Sequence, residues 1–597
     1  MPVTPTYPGV YIEEPPSAVH TITAVSTSVT AFVGYTPSGP LETPQTLTSF
    51  ADFERTFGGL SANSVLSYAV QQFYLNGGAT AIVVRVASGA TPAVATLAAA
   101  GTDVMTLTAK NPGTLGAALR VAVGASTDNT LSMQVFDLTG ALNESYQGLS
   151  MTSTDANFVE TSINAGSSLI TVKVLEADLP DPSGTVSKAF ASPLPDLAKE
   201  ITVTIGTVTS DPFKVYDSAH DGTAPTTMSQ LAVLLEGKIR GQGGPFGSVR
   251  VAVAGRKLVV KAGPDDTVRF GQAGANDLGL EGTVQPGAYP LKGGADGSRP
   301  QGSDFIGSPD RKTGMNALLD VMDVNLLCLP DIADPTYNST RVEILAAADA
   351  LCQDKRMFLI VDSPAGWTTL DVTRAHLPDL DSVRSDHSAL YFPQIQMTDQ
   401  LSGQPRTFPP CGAIAGVMAS TDNERGVWKA PAGTAAGLSG VLGLSVPLTD
   451  PENGLLNPLG VNCLRTFPII GPVVWGARTL QGADVLTSQW KYVPVRRTAL
   501  MIEESLFRGT KWVVFEPNDE RLWAQIRLNV GAFMNTLFRQ GAFQGISARD
   551  AYFVKCDSST TTQDDINRGV VNIIVGFAPL KPAEFVIIQL EQMAGQL

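Results

Sequence analysis

The sequence predicts an α/β protein of several domains: a doubly wound α/β domain with inserted, mostly-β modules, followed by an α+β C-terminal domain. Three observations carry this. At 597 residues the chain is too long for a single core. Continuous apolar runs at Ala81–Val84, Val324–Leu329 and Met357–Val361 alternate with amphipathic helical patterns, the mark of a sheet covered on both faces. Between about 88 and 300 the composition shifts to Gly, Thr, Ala and Ser, with no Trp or Cys and with short alternating strands.

Residues 1–20 hold five prolines and no helical period. Val10-Tyr11-Ile12 is a strand signal between Pro8-Gly9 and Pro15-Pro16, too short to stand alone, so 1–20 reads as an arm that adds to a sheet edge elsewhere. The run Ala24–Tyr35 is β-rich. A helix over about Asn63–Asn76 aligns Val65, Leu66, Ala69, Val70 and Phe73 on one face, with Asn63 as N-cap and Gly77 as the C′ residue. Strand signals then recur at Val104–Thr108, Leu119–Val123, Leu131–Phe136, Leu169–Val174, Ile201–Ile205, Val249–Val253 and Lys257–Lys261, with one helix at Met228–Arg240. These divide into two inserted modules, 89–197 and 198–304, split near SPLPDL (192–197) and ending in a Gly-rich connector, 291–304.

After 305 the covered-sheet pattern resumes. Val324–Leu329, a helix over Thr340–Asp354 and Met357–Val361 form a βαβ unit with a right-handed parallel crossover. A strand near Ala389–Pro393 and a helix near Pro410–Ser420 continue it, so 21–88 and 305–460 build one domain. Residues 461–597 form the last. Its long helix, Asp519 to about Gln540, buries Leu522, Trp523, Ile526, Val530, Phe533, Met534 and Leu537, and exposes Arg521, Gln525, Arg527 and Asn535. Val570–Phe577 and Phe585–Leu590 follow as strand signals. Like Val10–Ile12, the segment Phe585, Val586, Ile587, Ile588 either finishes a sheet in its own chain or completes one in another copy by β-augmentation.

Composition narrows function. Hydrophobic content of 43%, 16% charged residues and mean hydropathy of +0.09 describe a folded chain rich in apolar surface. Net charge −15 argues against nucleic acid as a partner. Residues 461–597 carry 14 basic and 12 acidic side chains (+2), leaving 27 and 44 (−17) in the remainder; this split fits two different surroundings and equally fits chance variation. Five scattered cysteines without a CxxC pair indicate buried thiols in a reducing compartment, neither a disulfide framework nor a zinc site. No apolar run approaches the roughly 20 residues a membrane span needs, and MPVTPTYPGV is no signal peptide, so the expectation is synthesis in bacterial cytoplasm without membrane insertion.

The last third carries NCLRTFP (462–468), VWGARTL (474–480), WKYVPVRR (490–497), MIEESLFRGT (501–510), WVVFEPND (512–519), AYFVKCD (551–557) and GFAPLKPAEFVIIQL (576–590). With PGVYIEE (8–14), FVG (32–34), FGG (57–59) and NGGATAIVVRV (76–86), this order resembles the sheath proteins of contractile phage tails and related contractile injection particles. The resemblance implies a central domain similar in fold to subtilisin and catalytically inert. It implies a homopolymer wound helically around an inner tube protein, bounded by baseplate and terminal cap proteins and linked by exchanged arms. The C-terminal domain would then face the tube, with Arg521 and Arg527 as tube-facing candidates, and the inserted modules would face outward.

A subtilisin-like domain raises proteolysis, which needs a Ser beside a His oriented by a carboxylate. The nearest text to a nucleophile turn is GVMAST (416–421), which puts Ser420 in or at the end of a helix, where its hydroxyl bonds back to the i−4 carbonyl. His20, His220, His376 and His387 stand in loop contexts without an HGT phrase, and Asp362 follows a strand as a cap would. No HExxH cluster and no GxxxxGK[ST] loop occurs, so no catalytic, metal or cofactor residue is assigned. The reading is a contractile-sheath subunit of a phage tail or injection particle. The alternatives are a subtilisin-like hydrolase with β accessory modules acting through Ser420, and a static surface or tubular polymer.

Overall fold

The computed structural model describes residues 20–124, 130–140, 142–190, 194, 197–280 and 284–589. The predicted arm strand Val10–Ile12 lies outside them. Two compact units are present: one comprises residues up to 36, 42–86 and 300 onward, the other 37–41 and 87–299.

The first unit is built on eight strands: β1 (Thr30–Gly34), β2 (Gln45–Leu47), β3 (Ala81–Arg85), β4 (Leu326–Cys328), β5 (Phe358–Asp362), β6 (Ser388–Phe392), β7 (Val461–Phe467) and β8 (Gly471–Val474). Their order is β2-β3-β1-β4-β5-β6-β7-β8. The six inner strands run parallel, with β2 and β8 antiparallel at the edges. Every residue of β1, β3, β5 and β6 is buried, as continuous apolar runs require when both faces are covered. Alternate side chains go to opposite faces. Phe32, Val83, Ile360 and Tyr391 pack with helices α1 (Val65–Leu75) and α3 (Cys411–Arg425). Val33, Val84, Leu359 and Leu390 pack with α2 (Arg341–Lys355). Helices α1 and α3 cross closely because α3 presents glycines there: a Cβ on Gly412 would lie 2.0 Å from the Ala69 carbonyl oxygen, and one on Gly416 2.6 Å from that of Phe73.

Several elements extend or shift the sequence expectations. The cap of α1 is Ser64, not Asn63, because the Ser64 hydroxyl accepts the Ser67 N–H at 3.1 Å. Helix α3 runs five residues past Ser420 through TDNER, whose Thr, Asp and Asn are poor helix formers, and Asp422 is held there by Arg497 at 2.6 Å. Strand β7 joins the large sheet beside β6, so the sheet takes in residues drawn at 461 as the start of another domain. A 17-residue helix, α4 (Val493–Gly509), lay unrecognised in the motifs WKYVPVRR and MIEESLFRGT. The long helix is α5 (Glu520–Arg539), with Asp519 as its N-cap accepting from the Arg521 and Leu522 N–H groups.

In the inserted unit, one core joins strands Thr91–Ala99, Thr102–Ala109, Leu119–Val123, Leu131–Asp137 and Ile170–Val174 with Tyr289 and Leu291. The other spans Phe190 to Leu280 around helix Met228–Arg240. Thr185–Val186 already pairs with Lys257–Lys261 of the second core, so the division falls before 185 and not at 197. The Gly-rich stretch expected to be a flexible connector is ordered: Lys292 and Gly293 pair with Val94 and Ala93. Gly294 (φ 83°) sits within this unbroken register, and a Cβ on it would lie 2.7 Å from the Gly113 carbonyl oxygen. The second module is therefore nested within the first, because the chain returns to close the first sheet pair.

Candidate assembly surface

Around α5 the C-terminal part of the chain forms its own core, with Leu522, Trp523, Ile526, Val530, Phe533, Met534 and Leu537 buried as the helical period requires. Against this face lies a two-stranded antiparallel sheet, Tyr552–Lys555 with Ile574–Phe577. Only the last four residues of the predicted strand Val570–Phe577 adopt strand geometry. Tyr552, Val554, Val575 and Phe577 turn toward α5, while Phe553 and Ile574 are half exposed on the other side. Among the described residues neither outer edge of this pair has a strand partner. Packing on α5 stabilises the pair as it stands, and its outer edges keep the unpaired backbone groups that an added strand would use.

Beyond it, Ala578 and Pro579 bridge to Phe543, Gln544 and Ala551, and further on the chain is fastened through Glu584. Glu584 receives a two-pronged contact from Arg478, Nε to Oε1 at 2.6 Å and Nη2 to Oε2 at 2.7 Å. Asn457 Nδ2 adds 2.9 Å and the Tyr492 hydroxyl 3.1 Å. The Arg478 side chain is 1% exposed and also donates to Asp484 and the Asn457 carbonyl. Burial pushes the Glu584 carboxyl up, but the hydrogen bonds from Arg478 and Asn457 outweigh it and hold the group below its ordinary value. Immediately after this clamp, Phe585, Val586, Ile587 and Ile588 are 73–85% exposed and in no strand. Four consecutive large apolar residues face water here, eight residues along the chain from a sheet whose outer edges have no strand partner among the described residues. The clamp joins residues 106 positions apart, and nothing in the sequence signalled that pairing.

The two arginines singled out as tube-facing differ. Arg521 is exposed on α5. Arg527 is half-buried, pairs with Glu520 at 2.6 Å and donates to the Cys556 carbonyl, so its guanidinium is engaged within the chain.

The elements of a serine protease do not converge. Ser420 lies inside α3, and its hydroxyl donates forward to Glu424 at 3.2 Å and not back to a carbonyl. His20 stacks on Trp512, His220 meets Asp217 and His376 meets Asp379. His387 is buried between Asp386 (2.7 Å at Nδ1) and Arg496 (2.7 Å at Nε2). A guanidinium only donates, so Nε2 accepts and Nδ1–H donates to Asp386. Asp362 caps α3, accepting the Cys411 N–H at 2.8 Å. All five cysteines are buried free thiols. Among the described residues no His/Cys/Asp/Glu group of metal-site composition occurs, and no helix is long and apolar enough to cross a membrane.

Comparison with known proteins places these elements. Residues 305–480 match the phage tail sheath protein central domain, and 486–592 the phage tail sheath C-terminal domain. The tail sheath protein of Burkholderia phage BcepMu is 28% identical over 285 residues, 45% of this chain and 58% of that protein. The match therefore spans little more than half the length of that relative. In fold, the helical sheath of the anti-feeding prophage in its contracted state is similar over 99% of this chain and 100% of that one, with TM-score 0.51 and 22% identity. A chain of the contracted baseplate of the same particle is 31% identical, covering 47% of this chain and 75% of that one, with TM-score 0.39. With the central and C-terminal sheath domains following one another along a single mixed α/β chain, the protein belongs to the tail sheath family of contractile phage tails and related contractile injection systems.

Proposed function

We propose that the chain is a non-enzymatic, force-generating subunit that polymerises helically around an inner tube, between a baseplate and a terminal cap, after synthesis in the bacterial cytoplasm. In this reading the parallel-sheet domain has a subtilisin-like, doubly wound fold without its chemistry. Joints between copies form by strand exchange: Phe585–Ile588 of one copy and Val10–Ile12 of another add to the two-stranded sheet of a third. Such a contact is heterologous and does not close on itself, so repetition yields a helical filament. Arg521 is the tube-facing cation this reading retains; Arg527 contributes through the local network that shapes α5. Contraction moves the domains as rigid bodies from an extended, metastable lattice to a shorter one, with the arms keeping neighbours joined.

The observation that supports this reading best is the juxtaposition of a sheet with both edges unpartnered and a clamped tail that ends in four exposed apolar residues. Negative-stain microscopy of three proteins tests it: the intact chain, a chain lacking 1–14, and one ending at Glu584. The intact chain forms striated hollow cylinders, and the two truncations remain folded particles that do not polymerise. Long cylinders of normal appearance from either truncation would refute the exchange of that arm.

A further inference from the structure

Beside the clamp lies a groove of about 800 Å³, bounded by the end of α3, the β8 edge and residues 580–585. This is within the size range of built binding pockets. Its chemistry is specific. Trp428 is half-buried and Trp475 is 36% exposed, so both offer ring surface. Arg425, Lys429 and Lys581 supply three cations, none of which has a carboxylate partner among the described residues. Lys429 reaches only the carbonyls of Ala430 and Ala432. Burial, with the neighbouring Arg425 charge, lowers its affinity for a proton. The groove's one acid, Glu584, is already bound by Arg478.

An occupant must therefore bring negative charge and flat, rigid apolar surface. The segment Tyr11-Ile12-Glu13-Glu14-Pro15-Pro16 of this chain has both: two adjacent carboxylates, then two prolines of the kind aromatic grooves accept. We propose that this groove receives residues 11–16 of a second copy, with Glu13 and Glu14 facing Arg425 and Lys429, and Pro15-Pro16 lying on Trp428 and Trp475. The inference rests on the arm-exchange reading above and names its receptor: the arm would be held by charge and aromatic contacts as well as by strand addition.

Cross-linking in the full chain tests this. Glu14→Cys and Lys429→Cys variants are mixed, assembled and treated with a short bismaleimide; the five native cysteines are buried and give little background. The expected result is a covalent dimer in the mixture and none with either variant alone. A cross-link confined within single chains of the double variant would overturn the assignment to a second copy. Charge exchange supplies the second arm. Arg425→Glu with Lys429→Glu raises the concentration needed for polymer at least about tenfold, without changing the thermal midpoint, and adding Glu13→Lys with Glu14→Lys restores it. Unchanged assembly by Arg425→Glu/Lys429→Glu, or no rescue, would overturn the groove assignment. If deleting 1–14 still abolishes polymer in that case, arm exchange stands and only its receptor is wrong.

Discussion

Glu584→Gln separates the clamp from everything around it. The amide keeps the shape of the side chain but replaces one accepting oxygen with an NH2 group, so Arg478 loses a charge-assisted bond and its attraction to a full negative charge. Bonds to charged groups contribute about 1.5–3 kcal/mol, and the Glu584 side chain is 19% exposed, shielded enough for that range to apply. The population in which the tail is undocked should rise about 10- to 150-fold. Residues 578–589 belong to none of the hydrophobic clusters, and Arg478 keeps Asp484 and the Asn457 carbonyl, so the global unfolding transition should barely move. The mobility of a nitroxide attached at position 583, an exposed site beside the clamp, reads this directly. The pH dependence provides a sign test. The folded-state carboxyl is held below its ordinary 4.5, so its contribution is present above that value and is lost as pH falls through the lower one. Wild type should release the tail on acidification, and Glu584→Gln should show no such dependence. Equal nitroxide mobility in the two proteins at neutral pH would refute the claim that this contact holds the tail.

Other perturbations probe the rigid body to which the tail is fastened. Burial pushes the Asp362 carboxyl up to about 7, against the hydrogen bond from Cys411, so stability from this group is full below 3.8 and lost as pH rises through 7. Asp362→Asn still accepts the Cys411 N–H and should be more stable at pH 8 by on the order of 2–4 kcal/mol, with the gain vanishing near pH 4 in denaturant titrations. Arg497→Ala strands Asp422, 4% exposed, and removes the donor to the Thr27 carbonyl, so a loss of about 3–5 kcal/mol is expected; Arg497→Ala with Asp422→Leu should recover most of it. Gly412→Ala forces α3 off the Ala69 carbonyl and should lower stability by about 1–3 kcal/mol, whereas the exposed-site control Gly454→Ala, whose Cβ meets nothing, should not.

How much of this was legible in the sequence depends on the range of the interaction that decides it. Strands Ala81–Arg85 and Phe358–Asp362 announce themselves because burial on both faces leaves only apolar choices, a local record. Helix α5 is legible for the same reason, with its period, cap and dipole residues agreeing. Helix α4 was not: Arg496, Arg497 and Ser505 are buried in it, and polar residues satisfied by distant partners such as Asp422 and the Val25 N–H break the amphipathic pattern. Lys292–Ala295 reads as a linker because its glycines serve a close backbone approach that only the tertiary structure reveals. The Phe585–Ile588 segment has the composition of a strand but lies in none here, and the residue that anchors it, Glu584, carried no signal without Arg478.

The tail's energetics favour a joint that is weak singly and strong in number. Burying Phe585, Val586, Ile587 and Ile588 yields about 1.5–3 kcal/mol each, offset by about 1–2 kcal/mol per residue for fixing the backbone, so the net is a few kcal/mol per joint. That is of the order separating two packings of one chain, so in the proposed contraction the joint and the repacking would be of similar strength. If the segment docks as a strand, period-two geometry allows only one of its alternate pairs to share the face that Tyr552, Val554, Val575 and Phe577 turn toward α5. Phe585→Lys with Ile587→Lys, and Val586→Lys with Ile588→Lys, should then differ sharply: one double variant fails to form cylinders, and the other assembles at nearly the wild-type concentration. Equal impairment of both would mean that the segment is buried on all sides as an irregular plug, and the strand-exchange joint would have to be abandoned even if the tail proved essential.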